Sequence, residues 1–117
     1  MKYMLMFCTT SDDPDRFENL NEEGRGALYG RIGEWSQKYG SKFVNGEQLQ
    51  SPDTATTVRF NSGQKPVVTD GPFIEGKEII GGFWVIDVQD LDEALTMAKE
   101  WPASSIVEVR PILERAG

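Results

Sequence analysis

The 117-residue chain carries 19 acidic against 12 basic residues, a net charge of −7, and 38% hydrophobic residues. This composition predicts one globular domain over residues 1–117, long enough to bury a core without disulfides or a metal. The acidic balance argues against a nucleic-acid partner, because an acidic surface repels phosphates.

Histidine is absent from the chain, and Cys8 is its single cysteine. The usual zinc and haem sites and Cys–His nucleophiles therefore lack ligands or bases, so we predict no metal and no cofactor. We expect no membrane partner, because no stretch approaches the ~20 apolar residues that span a bilayer. The apolar run at residues 3–8 is too short for the core of a signal peptide, and the expected location is cytoplasmic.

The first predicted elements are a strand and a long helix. Residues 3–8 are apolar at every position, which is typical of a strand covered on both faces. Asp13 and Pro14 have the form of an N-cap followed by a first helical residue. Apolar residues then recur at spacings of three and four and predict an amphipathic helix that ends at Gly40. Four glycines inside this helix weaken it by up to ~1 kcal/mol each, unless they allow close packing on a neighbour.

The rest of the chain predicts five more strands and a second helix. The strands are predicted over residues 42–49, 55–60, 67–69, 79–88 and 106–112. Turn residues at 61–64 lie between the strands predicted over residues 55–60 and 67–69 and connect them as a short hairpin. Asp90 and Glu93 form a capping box that begins the second helix, and Pro102 ends it. The large aromatic residues interpreted as core are Tyr3, Trp35, Trp84 and Trp101.

This order of elements predicts a ferredoxin-like α+β fold with an inserted hairpin. In that fold, two helices cover one face of an antiparallel sheet and leave the other face bare. The strands at residues 3–8 and 79–88 are nevertheless apolar on both sides. Another copy of the chain is the simplest cover for the second face, so we predict a homodimer.

The densest motif is Thr-Asp-Gly-Pro-Phe-Ile-Glu-Gly-Lys-Glu at residues 69–78. Asp-Gly-Pro is a turn signal, and one interpretation has Asp70 accepting backbone amides within the bend. The functional interpretation makes Asp70 a catalytic acid or base. Gly81 and Gly82 would then mark a bulge or a place where a ligand approaches the strand.

Two charged residues in the last strand allow a similar choice. Alternation places Glu108 and Arg110 on one face and two valines on the other. Since the valines should meet the helices, the charges should face the partner sheet. The plainer interpretation is an ion pair between the sheets that fixes the dimer register. The alternative is that Arg59 or Arg110 clamps an anionic ligand.

The chain resembles the YCII-related proteins, specifically the subgroup named for its Asp-Gly-Pro-Phe signature (the DGPF domain). The matching segments are residues 2–5, 46–49, 57–59, 68–73, 75, 77–78, 81–88, 90–94 and 107–112. The resemblance implies a dimeric α+β barrel, in which two ferredoxin-like sheets face each other. A His–Asp pair proposed as an enzymatic centre in the wider group does not carry over, because this chain has no histidine. Asp70 is the residue that still matches as an acid or base.

Two functions follow from these features, and the sequence leaves open whether the protein is an enzyme. The first is a small-molecule-binding or regulatory module with a cavity at the sheet face, which the missing His–Asp pair favours. The alternative is a metal-independent enzyme with Asp70 as general acid or base on a small anionic substrate. The candidate ligand-binding residues are Arg59, Pro72, Phe73, Glu75, Lys77, Gly81, Gly82 and Arg110.

Overall fold

The computed structural model describes residues 1–72 and 78–115. Within them the chain has an α+β fold of six strands and two α-helices, which confirms the predicted class. The strands are β1 (Lys2–Thr10), β2 (Phe43–Gln48), β3 (Thr56–Arg59), β4 (Val67–Asp70), β5 (Glu78–Asp87) and β6 (Ile106–Pro111). The helices are α1 (Glu22–Tyr39) and α2 (Leu91–Lys99). Neither described helix has both the length and the apolarity to cross a membrane.

Four strands form one antiparallel sheet in the order β2-β5-β1-β6. This is the ferredoxin-like order expected from the sequence. Strands β3 and β4 form a separate two-stranded sheet, which is the predicted hairpin. In the main sheet Leu5 lies opposite both Trp84 and Val109, so these three side chains share a face.

The core lies on the helix-covered face of this sheet. Along β1, Tyr3, Leu5 and Phe7 are buried, while the intervening Met4 and Met6 are half-buried. Because side chains alternate along a strand, the two methionines lie on the opposite face, which the chain itself leaves open. The buried cluster is Tyr3, Leu5, Phe7, Trp35, Ile86, Val88, Ala94 and Met97. The first strand is thus apolar on both faces, as expected, but only one of them is covered within the chain.

The predicted start of the first helix was wrong. Helix α1 begins at Glu22, where the Asn21 side chain accepts a hydrogen bond from the amide of Gly24 at 2.8 Å. Asp13 instead accepts a hydrogen bond from the Thr9 hydroxyl at 2.9 Å within the preceding loop. An Asp-Pro pair serves a loop as readily as a helix start, and here Asn21 provides the cap.

The described part of the chain is thin for its length. It measures 49 × 46 × 18 Å, with a radius of gyration of 16.5 Å. A compact chain of this length would have a radius of gyration of about 13 Å. The β3–β4 hairpin exposes large apolar side chains, among them Phe60 (79% exposed) and Val68 (62% exposed). An isolated two-stranded hairpin is only marginally stable in water, and these apolar side chains are not covered by the described part of the chain.

Candidate functional site

A cavity of about 990 Å³ lies between α1 and the helix-covered face of the four-stranded sheet. It is also lined by the loop that precedes α1 and by the loop at residues 101–105. Its volume lies at the upper end of the ~300–1,000 Å³ range of ligand pockets. Apolar lining side chains include Phe7, Leu28, Ile32, Trp84 and Trp101. Polar lining side chains include Asp13, Arg16, Arg25, Tyr29 and Gln48.

Stacked aromatic rings form part of the cavity wall. Phe7 and Trp101 stack with their ring centroids 3.8 Å apart and an interplanar angle of 13°. Trp84 stacks in the same manner on Phe43, at 4.1 Å. The Trp101 indole nitrogen donates to the Ser104 hydroxyl at 2.9 Å, which fixes that ring. These walls are therefore held in place before any ligand arrives.

Gly81 and Gly82 lie on the sheet side of the cavity. A β-bulge occurs where Phe7 pairs with Gly82 and Cys8 with Ile80, so that Gly81 is the extra residue. Both glycines line the cavity. A Cβ at Gly82 would lie 2.9 Å from the carbonyl oxygen of Glu47 on β2. The predicted bulge is thus confirmed, and it lies in the cavity wall.

Two arginines near the start of α1 line the cavity. Arg25 Nε donates to the Phe17 carbonyl at 3.1 Å, and its guanidinium lies 4.5 Å above the Phe17 ring. Arg16 Nη1 donates to the Ser11 carbonyl at 3.0 Å. Arg16 Nε lies 3.5 Å from Glu18 Oε2, but it is buried and has no hydrogen-bond partner among the described residues.

Side-chain hydrogen bonds order the polar part of the cavity lining. The carboxylate of Asp13 accepts from the Thr9 hydroxyl and from the Asp15 amide, each at 2.9 Å. The Tyr29 hydroxyl donates to Gln48 Oε1 at 3.0 Å, which ties α1 to β2. The loop before α1 and the helix itself are therefore fixed relative to the sheet at this end.

The setting of Cys8 disfavours a reactive thiolate. Burial raises the pKa of its thiol above the ordinary value, and the carboxylates of Glu108 and Glu78 raise it further. The thiol is therefore protonated at neutral pH, and a protonated thiol is a weak nucleophile. This agrees with an inert thiol on an apolar strand.

Within the described residues, the hydrogen bonds at the Asp70 bend are made by Gly71, Ala55 and Thr57. Gly71 has a φ of +105°, its amide donates to the Ala55 carbonyl at 2.8 Å, and its carbonyl accepts from the Thr57 hydroxyl at 2.6 Å. The Asp70 side chain is exposed at the end of β4. In residues 1–72 and 78–115 it accepts no hydrogen bond. Its predicted bonds to amides from position 73 onward fall on residues that the structure does not describe.

The predicted site residues do not gather in one place within the described chain. Arg59 donates to the Thr69 hydroxyl at 3.1 Å inside the hairpin. Arg110 forms an ion pair with Glu108 of its own strand at 2.7 Å, on the open face. Glu108 and Arg110 thus face away from the helices as expected, but within one chain they form an ion pair with each other along the same strand. Phe73, Glu75 and Lys77 lie outside the described residues.

Of the candidate set, Gly81 and Gly82 line the cavity, whereas Arg59, Asp70, Pro72 and Arg110 do not. The sequence also predicted a cavity at the sheet face that a second copy would cover. The cavity described here lies on the opposite, helix-covered face. Sequence reasoning missed Arg16 because it assigned the loop before α1 to the helix itself, and it missed Arg25 because it interpreted the helix through its apolar residues alone. It also took Trp84 and Trp101 as core only, although both are half-buried and line the cavity.

Comparison with known proteins gives a family and a fold. A protein of Rhizobium meliloti (strain 1021), described as uncharacterised, is 42% identical over 65 residues. That match spans about half of each chain, 52% in both cases. Among solved structures, 5-chloro-2-hydroxyhydroquinone dehydrochlorinase (TftG) from Burkholderia phenoliruptrix AC1100, in complex with 2,5-dihydroxybenzoquinone, is similar over 98% of this chain and 96% of that chain. The TM-score is 0.51 and the sequence identity 12%, so this likeness concerns the fold alone.

The family model for the YCII-related domain matches residues 1–115, which is nearly the whole chain. Assignment to the DGPF subgroup, which rests on the motif at residues 70–73, stays a prediction. The resemblance seen in the sequence is confirmed at the level of the family, and the protein belongs to the YCII-related family.

Proposed function

We propose that this protein binds a small molecule in the cavity between α1 and the four-stranded sheet, as a binding or regulatory module. The carrying observation is the cavity of about 990 Å³ with stacked aromatic rings in its wall. A well-formed apolar pocket with a few polar groups is the usual place for a ligand. The solved structure of TftG contains 2,5-dihydroxybenzoquinone. That complex supports the proposal in one respect: it shows that a chain of this fold can bind a ligand of that size.

The fluorescent probe anilinonaphthalene sulfonate tests this site. We expect saturable binding that is lost in Ala103→Phe, because the added ring would occupy space beside the half-buried Ala103 in the cavity wall. Gln64→Phe is the matched control, since it adds the same ring at an exposed turn residue outside the cavity. Equal binding by the wild type and both variants would place the probe elsewhere and contradict the proposal.

We further propose that the protein is a homodimer paired through the open face of the sheet, which would form the α+β barrel. Met4, Met6, Phe83 and Val85 are half-buried on that face. The exposed apolar hairpin and the 18 Å thickness of the described chain also support a partner. A second copy is the simplest one, because a two-fold axis pairs the same apolar face with itself.

A second candidate function is catalysis without a metal, with Asp70 as general acid or base on a small anionic substrate. Its support is the exposed Asp70 carboxylate, which accepts no hydrogen bond within the described residues and so is available for proton transfer. Arg59 or Arg110 would hold the substrate anion in this case. Residues 73–77 or a second copy would have to complete the site, since Arg59 and Arg110 belong to different sheets.

Chloride release from 5-chloro-2-hydroxyhydroquinone, a compound chosen from the name of TftG, tests the catalytic candidate. Turnover by the wild type that is abolished in Asp70→Asn, with probe binding retained, would support an enzyme. Wild-type protein that binds the fluorescent probe but releases no chloride would leave ligand binding as the supported function.

A further inference from the structure

We infer that the N-terminal half of α1, residues 22–31, is a lid that unwinds locally to admit a ligand to the cavity, and that the hydrogen bond between Tyr29 and Gln48 holds it closed. This inference rests on the proposed function and adds how the cavity is entered. Three features carry it. The two halves of α1 are held very unequally, glycines weaken the lid without a packing role, and the closing hydrogen bond lies on the border of the cavity.

The C-terminal half of α1, residues 32–39, is anchored in the core. Trp35 is 4% exposed and belongs to the buried cluster, and its indole nitrogen donates to the Met97 carbonyl at 3.0 Å. Lys38 adds an ion pair with Glu100 at 2.8 Å. Because moving this half away from the sheet would expose a core residue, we expect it to open only when the whole domain unfolds.

The lid is held much more weakly. Leu28 is its one buried side chain, and it does not belong to the buried core cluster of the described residues. Within residues 1–72 and 78–115, one side-chain hydrogen bond joins the lid to the sheet, from the Tyr29 hydroxyl to Gln48 Oε1 at 3.0 Å. Both of these residues are exposed, and a hydrogen bond that water can replace contributes little net stability. A helical segment with few buried contacts is one that opens locally.

Glycines weaken the lid and have no packing role there. Gly26 and Gly30 lie inside the helix, where glycine is less favourable than alanine. A Cβ at either position would meet no atom of the described residues within 4 Å. The close packing that would offset their cost is therefore absent from the described chain, and the proposed dimer face lies on the other side of the sheet. The effect that remains is an easier unwinding of residues 22–31.

The closing hydrogen bond lies on the border of the cavity. A second hollow, of about 240 Å³, is lined by Tyr29 and Gln48 together with Phe17, Leu49 and Gln50. All five of these residues also line the main cavity. The bond from α1 to the edge strand β2 therefore lies between the two spaces. Breaking this bond and unwinding the lid would join them into one entrance.

Hydrogen exchange of the full chain, without any ligand, tests the lid directly. Amides in residues 25–31 and 32–39 are hydrogen-bonded within the helix, so their exchange rates report how often each half opens. We expect residues 25–31 to exchange at least about tenfold faster than residues 32–39. Equal exchange in the two halves would overturn the inference.

Variants separate a lid from opening of the whole helix. Tyr29→Phe should accelerate exchange in residues 25–31 about threefold, because it removes the closing hydrogen bond. Gly30→Ala should slow it about fivefold, since alanine favours the helical state. Gly33→Ala is the matched control, because residue 33 stays helical when the lid opens, and exchange in residues 25–31 should not change. If Gly33→Ala slowed these amides as much as Gly30→Ala, the helix would open as one unit and the inference would fail.

The rates of probe binding show whether this opening admits a ligand. Entry and exit both require the open lid, so a more stable closed lid slows association and dissociation by the same factor and leaves the dissociation constant unchanged. In stopped-flow measurements with anilinonaphthalene sulfonate, we expect Gly30→Ala to slow both rate constants about fivefold. Gly30 does not line the cavity, so the contacts of the bound probe stay the same. Gly33→Ala should leave both rate constants unchanged, and circular dichroism would establish that each variant is folded.

The lid and the binding site fail in different ways. Probe binding that Ala103→Phe abolishes, at rates that Gly30→Ala does not alter, would leave the site in place and overturn the lid. If the wild type binds no probe, the proposed site loses its support, and hydrogen exchange alone decides whether residues 22–31 open.

Discussion

At Gly46 the backbone of β2 lies against the side chain of Trp84, its paired residue on β5. A Cβ placed there would collide with the Trp84 indole ring and lie 2.6 Å from the Phe83 carbonyl oxygen. That ring cannot move aside easily, because it stacks on Phe43 at 4.1 Å. Gly46 is thus required by packing, since the Trp84 ring covers the space that any side chain would fill.

We therefore expect Gly46→Ala to lower the free energy of unfolding by about 1–3 kcal/mol, the usual cost of overpacking. Gly33→Ala is the matched control. A Cβ there would meet no atom of the described residues within 4 Å, and alanine should stabilise α1 by up to about 1 kcal/mol. Urea unfolding of both variants measures the difference. Two variants of equal stability would contradict this account of Gly46.

Asp70 gives a second prediction at the scale of single residues. Since its carboxylate accepts no hydrogen bond in the described chain, and the bend is held through Gly71 and Thr57, we expect Asp70→Asn and Asp70→Ala to stay within about 0.5 kcal/mol of the wild type. Thermal unfolding measures both. An alanine variant clearly less stable than the asparagine variant would show that the carboxylate holds the bend, as the turn interpretation of the sequence proposed.

At the scale of elements, the cap of α2 links stability to pH. The hydrogen bond from the Gln89 amide lowers the pKa of Glu93 below its ordinary value of 4.5, and the Lys42 side chain lowers it further. A carboxyl group whose pKa is lower in the folded than in the unfolded state stabilises the fold above its ordinary pKa. That contribution is lost as the pH falls through the folded-state value.

We therefore expect Glu93→Gln to melt below the wild type at neutral pH, and the two melting curves to converge as the pH falls below 4.5. Melting followed by circular dichroism over this pH range would measure the difference. Glu34→Gln, at an exposed position on α1, controls for the loss of one negative charge. A difference between wild type and Glu93→Gln that stays constant with pH would contradict the role given to this carboxylate.

The strands and α2 could be predicted from the sequence because their signals are local. The alternating and continuous apolar runs placed β1, β5 and β6 to within about two residues, the usual uncertainty of element ends. Asp90 caps α2 as expected, by accepting a hydrogen bond from the Glu93 amide at 3.0 Å. The start of α1 could not be placed in this way, because an Asp-Pro pair has the same form in a loop as at a helix start, and Asp13 is held in the loop by its contact with Thr9 of β1.

The cavity could not be predicted for a different reason. Its walls come from β1, β2, β5, α1 and two loops, and the space between them depends on how far α1 lies from the sheet. Periodicity states which face of an element is apolar, but it does not state whether two apolar faces touch. Trp101 is an example. Its spacing in the sequence is that of a core residue, yet its ring is half-buried and lines the cavity.

At the scale of the whole molecule, the open sheet face is the feature that a dimer would explain. We expect light scattering to give the mass of a dimer at micromolar concentration, and Val85→Asp to give a monomer, because it places a charge in the centre of that face. Leu91→Asp is the control, since it adds the same charge at an exposed apolar residue at the start of α2. A wild-type monomer, or a Val85→Asp variant that remains a dimer, would contradict pairing through this face.

The positions of the three tryptophans make their emission and circular dichroism sensitive to what occupies the cavity. Trp84 and Trp101 line the cavity, whereas Trp35 is buried and donates its indole N–H to the Met97 carbonyl at 3.0 Å. Trp35 and Trp101 also lie edge to face, with ring centroids 4.9 Å apart and an interplanar angle of 82°. Two indoles this close and nearly perpendicular couple their electronic transitions. Ligand entry should therefore change both the tryptophan emission and the near-ultraviolet circular dichroism, without any attached label.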